Sequence, residues 1–282
     1  MREWKFDVGG FTLRGKRWGA IGGTPVLALH GWLDNAASFD FLAPKLKGVD
    51  LLALDLPGQG KSDHRGDFGA YNIWEDIYEI FGVVEQLGWK KFGLLGHSRG
   101  AMISSLIAGA YPERISHLAL IESFMPQMIQ PHEAPQQLAA AVDALLNLKG
   151  KSKSLFDSFD DAVKARENGF LKLCHDDALV LAKRGVTEEH GRYFWANDIK
   201  LNLPSEVKFT RAQIEAFVNR IKIPVALVVA ENGLVSDFPE MEDLIQNASN
   251  VQVSTLPGDH HLHMSQQSEQ VAEIFNAYFA SK

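Results

Sequence analysis

Short apolar runs alternate with amphipathic stretches along the first part of the chain. Pro25–His30 (PVLALH), Val49–Leu54 (VDLLAL), Phe92–Leu95 and Ile115–Ile121 are apolar almost throughout and are closed by turn-forming residues. That is the pattern of strands covered on both faces of a parallel sheet. Trp4–Val8 and Phe11–Trp18 flank Gly9-Gly10 and predict an opening strand pair. Ile73, Ile77, Ile80, Phe81, Val84 and Leu87 recur at helical spacing, so Ile73–Leu87 is predicted to be a helix ending at Gly88. Ser38–Leu46 also has helical spacing. So does the segment from Arg99 to Ala110, which must end before Pro112 because proline disfavours helix at the residue preceding it.

The pattern then changes. From about Phe124 to Ile221 the spacing predicts helices without intervening strands: Gln136–Leu148, Asp160–Glu167, Asp176–Lys183 and Arg211–Ile221. The last is preceded by Thr210-x-x-Gln213, a capping-box pattern. Alternation resumes with the strand Ile223–Ala230, the helix Glu240–Asn247, the strand Val251–Leu256 and a final helix Gln267–Phe279. The expected architecture is therefore an α/β core of residues 1–123 and 222–282, with a mostly parallel sheet and helices on both faces. Residues 124–221 are expected to form a helical cap inserted into it.

Composition narrows the functional classes. The chain has 282 residues, 46% hydrophobic and 22% charged, with a net charge of −7. An acidic balance argues against a nucleic-acid ligand held by phosphate contacts and against an anionic membrane surface. Met1–Gly10 lacks the continuous apolar stretch of a secretory signal, and Cys174 is the single cysteine. These features fit a cytoplasmic protein without an internal disulfide.

Gly96-His97-Ser98-Arg99-Gly100 matches G-x-S-x-G between a buried strand and a helix. A sharp strand-to-helix turn lifts a serine hydroxyl above the sheet, and the flanking glycines leave room for the strained backbone. The helix N-terminus behind Ser98 adds N–H groups where an oxyanion would develop. His30-Gly31-Trp32 closes an earlier strand. The backbone N–H groups of Trp32 and Arg99 are the two expected oxyanion donors, and the Trp32 ring either roofs the acyl pocket or packs.

These segments resemble the α/β-hydrolase family with a helical cap. The likeness is carried by His30-Gly31-Trp32-Leu33-Asp34-Asn35, by Asp55-Leu56-Pro57-Gly58-Gln59-Gly60-Lys61-Ser62, by the elbow and by Pro257-Gly258-Asp259-His260. Within that family the chain is similar to the serine hydrolase-like proteins, through HGWLDNAASF at 30–39 and the His260/His263 ending. The resemblance implies carboxylic-ester hydrolysis with the serine first in the chain, the acid later and the histidine last. His260 is the expected base, ahead of His261 and His263. A metal site built from these three histidines is set aside, because neighbouring histidines on one loop rarely converge on an ion. The chain also resembles haloalkane dehalogenases and epoxide hydrolases in layout, but those carry an aspartate nucleophile where this chain has Ser98.

The acid departs from the family pattern. After Val225–Ala230 the family usually places an aspartate three residues on, and that position here is Gly233. Glu122, at the end of the strand after the elbow helix, is the first choice, with Asp237 and Glu231 as alternatives. Gly58-Gln59-Gly60-Lys61-Ser62 imitates a phosphate-binding loop, but Asp55 stands where its first glycine is required.

The expected function is thus a serine hydrolase acting on a small-molecule ester without a cofactor or metal. Phe124, Met125 and Trp32 are candidate substrate contacts. Tyr193, Phe194 and Trp195 are either further pocket lining or the core of the cap. Arg99 has a side chain that either binds an acidic substrate or pairs with a nearby carboxylate. Cleavage of a lactone, thioester or carbon–carbon bond by the same residues, and a non-catalytic binding role, remain as alternatives.

Overall fold

The computed structural model describes residues 1–148 and 152–281. The first strand pair is β1 (Arg2–Val8) and β2 (Phe11–Gly19), antiparallel, turning at Gly9-Gly10 with φ of 63° and 85°. Both turn positions lie in the left-handed region that glycine occupies without a Cβ penalty. The strands β3 (Thr24–Leu29), β4 (Val49–Leu54), β5 (Phe92–His97) and β6 (Ile115–Ile121) follow. The eight-stranded sheet has the spatial order β1-β2-β4-β3-β5-β6-β9-β10. Its last members are β9 (Val225–Asn232) and β10 (Val251–Asp259). Only the pairings of β1 with β2 and of β2 with β4 are antiparallel in this sheet.

Period-two alternation splits the strand residues between two apolar clusters. Leu27, Leu29, Leu52, Leu54, Leu94 and Leu118 face one layer, and Val26, Ala28, Leu51, Ala53, Leu95 and Ala119 the other. The first layer holds α1 (Asp76–Gln86), α2 (Arg99–Ala110) and α7 (Pro239–Asn247). The second holds α8 (Ser268–Ala280), through Val271 and Phe275. Burying each of these leucine and valine side chains contributes roughly 1.5–3 kcal/mol, and every residue of β4 and β5 is enclosed.

Between β6 and β9 lie α3 (Ala134–Leu146), α4 (Phe159–Glu167), α5 (His175–Gly185) and α6 (Arg211–Val218), the last opened by the Thr210/Gln213 capping box. The expectation of helices alone is corrected here. Val186–Glu189 (β7) and Arg192–Trp195 (β8) pair as an antiparallel hairpin around His190-Gly191, whose φ angles are 54° and 74°. Val163, Leu173, Ala178, Leu181 and Ala182 form a separate apolar cluster with Met264, and Trp195 packs against it. Buried ion pairs of Arg184 with Asp55 and of Arg166 with Asp34 help fasten this region to the core, and Arg184 also pairs with Glu3. By contrast, α6 packs on α2 and buries Ile214 in the sheet's own cluster. The predicted helix over Ser38–Leu46 is instead two single turns of 3-10 helix, Ala36–Phe39 and Ala43–Lys45.

Candidate active site

Ser98 joins the end of β5 to the start of α2 with φ 51° and ψ −115°. A non-glycine residue pays for that conformation with roughly 1–3 kcal/mol of strain, held in place by the surrounding structure. The room comes from glycine: a Cβ at Gly100 would lie 2.0 Å from the Leu29 carbonyl oxygen, and one at Gly96 2.5 Å from Ala101 Cα. The Ser98 N–H donates to the Ile121 carbonyl at 2.9 Å, which ties the elbow to the end of β6.

The residue that follows β6 is Glu122, also at positive φ (58°) and 2% exposed. Its Oε2 lies 3.0 Å from His260 Nδ1, and His260 is 5% exposed. The same carboxylate accepts the Ala230 N–H on Oε1 at 2.6 Å and the Leu234 N–H on Oε2 at 2.9 Å. Gly233 explains how a glutamate from β6 fits there. A Cβ at 233 would lie 2.2 Å from Glu122 Oε2 and 2.3 Å from Oε1. The glycine that replaces the usual acid therefore opens the space that the Glu122 carboxylate fills. Asp237 is exposed on a single 3-10 turn, and Glu231 is exposed at the end of β9. Neither is hydrogen-bonded to His260, whose Nδ1 is engaged by Glu122.

Arg99 begins α2, and its side chain pairs with Asp76 on α1 and donates to the Tyr71 carbonyl at 2.8 Å. It is thereby held within the protein. The Trp32 indole donates to the Leu201 carbonyl at 2.8 Å, while its ring stays 41% exposed. Trp32 and Leu33 form part of the wall of a cavity of about 470 Å³, together with Phe156, Phe170, Trp195 and Arg166 from the inserted region. Phe124 and Met125 do not line it; both are 1% exposed in the apolar layer under α1 and α2. Tyr193 sits against Phe156 and Phe159, and Trp195 alone of the Tyr193–Trp195 run reaches the cavity wall.

Gln59 is a buried side chain beside the Trp32 loop that motif reading passed over. Leu33 follows Trp32 with φ 61°, and its N–H donates to Gln59 Oε1 at 2.7 Å. Gln59 is fully buried and fixes the loop that presents the Trp32 N–H. Gln59→Ala is expected to lower kcat about 10- to 100-fold with little change in KM, because a donor displaced by an ångström loses most of its transition-state bond. Steady-state kinetics on one ester checks this; an unchanged kcat would separate Gln59 from the oxyanion loop. The Gly58–Ser62 segment otherwise serves structure. The Asp55 carboxylate accepts the Ala36 and Lys61 N–H groups and pairs with Arg184.

His30 carries a pH consequence. Its Nδ1–H donates to the Gly31 carbonyl at 2.8 Å and its Nε2 accepts the Leu56 N–H at 3.0 Å, which requires the neutral ring. Burial lowers its pKa below 6.5, outweighing the opposing pull of Asp55. The unfolded chain therefore binds the extra proton first as pH falls below 6.5. Stability from this residue is full above that pH and declines beneath it, by up to about 1.4 kcal/mol per pH unit. Urea unfolding between pH 7 and 5 is expected to show this slope, and His30→Gln to reduce it by the share of one proton, since burial lowers His97 and His263 as well. An equal slope in the variant would assign the acid sensitivity elsewhere.

The relatives of the chain are consistent with these features. Residues 24–158 match the family model of the alpha/beta hydrolase fold. A probable serine hydrolase of Drosophila melanogaster is 31% identical over 274 residues, covering 93% of this chain and 83% of that protein. A serine hydrolase-like protein of Danio rerio is 28% identical, covering 93% and 84%. The crystal structure of a hypothetical protein from Pseudomonas aeruginosa PAO1 superposes with a TM-score of 0.96 at 41% identity, over 100% of both chains. With a mostly parallel sheet, a strained serine elbow and relatives of this kind, the chain belongs to the α/β-hydrolase fold family and is a hydrolase similar to the serine hydrolase-like proteins.

Proposed function

We propose that the chain is a serine hydrolase that cleaves a carboxylic ester of a small to medium molecule through Ser98, His260 and Glu122. The observation that carries this reading is the Glu122 carboxylate, seated against Gly233 and bonded to His260 Nδ1. That bond keeps the proton on Nδ1 and leaves the Nε2 lone pair as a base. His260 Nε2 takes the Ser98 proton as Oγ attacks the ester carbonyl. The tetrahedral oxyanion is held by the N–H groups of Trp32 and Arg99. Protonated His260 then gives its proton to the leaving alcohol. Water, deprotonated by the same nitrogen, hydrolyses the acyl-enzyme. Glu122 keeps its charge throughout and stabilises the imidazolium. The cavity beside Trp32, walled by Phe156, Phe170 and Trp195 together with Lys153, Arg166 and Asp198, does not include Ser98 or His260 and would take a part of the substrate away from the reacting ester. The inserted region acts as its lid. In this reading the partner is a small-molecule ester, with neither nucleic acid nor membrane, and the enzyme works in the cytoplasm. Among the described residues, no helix is long and apolar enough to cross a membrane.

A panel of p-nitrophenyl esters of increasing chain length, with a matched thioester, lactone and β-diketone, tests the substrate class. Faster turnover of the short and medium esters is expected. Preference for the thioester, lactone or diketone would keep the residues and replace the substrate.

A further inference from the structure

Beside the proposed catalytic pair lies a second set of donors that the hydrolytic reaction does not use. Asp34 and His97 are fully buried and His261 is 2% exposed. They reach one point from three separate places: the loop after β3, the residue before the nucleophile, and the residue after the base. Asp34 Oδ1 is held by Arg166 Nη2 at 2.9 Å. Its Oδ2 faces His261 Nε2 at 3.1 Å and His97 Nδ1 at 3.7 Å. One ligand atom from each of the three residues lies within 4.8 Å of the others.

His97 defines what belongs between them. Its Nε2–H is committed to the His260 carbonyl at 2.9 Å, so Nδ1 presents a lone pair, and that nitrogen has no hydrogen-bond partner. A lone pair facing a buried carboxylate is repulsive unless a positive centre stands between them. The separation of 3.7 Å is too long for a charge-assisted N–H···O bond, which closes to about 2.7–2.9 Å. It suits a bridging ion instead. Two ligands each about 2.1 Å from a tetrahedral zinc lie roughly 3.4 Å apart, between the two separations from Asp34 Oδ2, while the two histidine nitrogens lie within 4.8 Å of each other. A ring N–H donated to a backbone carbonyl is also the outer bond that metal-bound histidines make. The space is kept clear by Gly31, where a Cβ would lie 2.9 Å from His97 Nδ1 and 3.0 Å from Asp34 Oδ2. His263 completes the surroundings. It is fully buried, neither ring nitrogen has a partner, and its ring centroid lies 4.2 Å from that of His97.

We propose that Asp34, His97 and His261 form a binding site for one divalent transition-metal ion, with two imidazoles and a carboxylate as the ligand set that suits zinc. His263 is the nearest further donor. An ion there would grip the backbone next to both Ser98 and His260, so its occupancy bears on the geometry of the nucleophile and base. The site is independent of the hydrolytic reading, because its test reads metal and not turnover.

Chelator-treated full-length protein is titrated with cobalt(II), followed by visible absorption and calorimetry, and then challenged with zinc. One equivalent of cobalt per chain is expected, with the d–d band of a four- or five-coordinate nitrogen–oxygen site that zinc displaces. Asp34→Asn, His97→Gln and His261→Gln are each expected to weaken binding at least tenfold. His175→Gln, in an exposed pair with Glu167, should leave it unchanged. Absence of saturable binding in the wild type overturns the proposal. So does binding that survives in folded Asp34→Asn and His261→Gln proteins, which would mark Asp34–His261 as a simple hydrogen-bonded pair. Should those variants not fold, anomalous diffraction from a zinc-soaked wild-type crystal decides: an ion among these three side chains supports the site, and an ion only elsewhere rejects it.

Discussion

Glu122→Gln is expected to lower kcat/KM for a p-nitrophenyl ester by about 10³- to 10⁴-fold, with the loss in kcat and KM nearly unchanged. The carboxylate accepts from His260, Leu234 and Ala230, so an amide cannot satisfy all three whichever way it turns. With its oxygen toward Ala230, its NH₂ faces His260 Nδ1 and the Leu234 N–H. The imidazole is then driven to the tautomer whose Nε2 already carries a proton. With its oxygen toward His260, two donors meet at Ala230 and the imidazolium still lacks its counter-charge. Thermal unfolding of the variant separates the catalytic loss from a folding loss, since one buried N–H left unpaired costs about 1–3 kcal/mol. The carboxylate can also be moved. Gly233→Asp alone should inactivate, because its Cβ would collide with Glu122. Combined with Glu122→Ala it should recover part of the activity from the position that the family commonly uses.

Ser98→Gly is expected to remove turnover by about 10⁴- to 10⁶-fold while raising stability. Ser98 sits at φ 51°, and glycine adopts that angle without the Cβ clash that costs other residues roughly 1–2 kcal/mol. For a chain of this size the relief corresponds to a melting temperature higher by about 2–4 °C per kcal/mol. Ser98→Ala should be as inactive without the gain. Calorimetry of the three proteins reads the difference, and a glycine variant less stable than the alanine variant would refute the strain argument.

The legible parts of this molecule were those whose signal is local. The largely apolar runs of β4 and β6, the glycine-flanked serine and the Thr210/Gln213 cap each carry their meaning within a few residues. Ser38–Leu46 reads as one helix by spacing, but Pro44 lacks an N–H to continue it, and Asn35 caps only the first turn. The hairpin of β7 and β8 escaped because its turn is His190-Gly191 and not the usual Asn-Gly, although both angles are positive. Phe124 and Met125 illustrate the limit of reading side chains from their place in the chain: an apolar pair at a strand exit serves a pocket or a core equally well, and here the core takes it. Glu122 could be named from the missing aspartate, yet the reason it fits, the absent Cβ at Gly233, exists only once β6 and β9 lie side by side. Gln59, Asp34 and His97 were hidden for the same cause, since their partners at Leu33, His261 and His260 come from different loops.

The central claim is that Ser98 is made nucleophilic by His260, and His260 is oriented by Glu122. Its most direct measurement is the rate at which a fluorophosphonate phosphonylates the enzyme with loss of fluoride, with the modified residue identified by mass spectrometry. The account predicts rapid, single labelling at Ser98 in the wild type, loss of labelling in Ser98→Ala, and labelling slowed at least a hundredfold in both His260→Ala and Glu122→Gln, with Asp237→Asn unchanged. Wild-type protein that does not react at Ser98, or a Glu122→Gln variant that labels as fast as the wild type while Asp237→Asn does not, would contradict it.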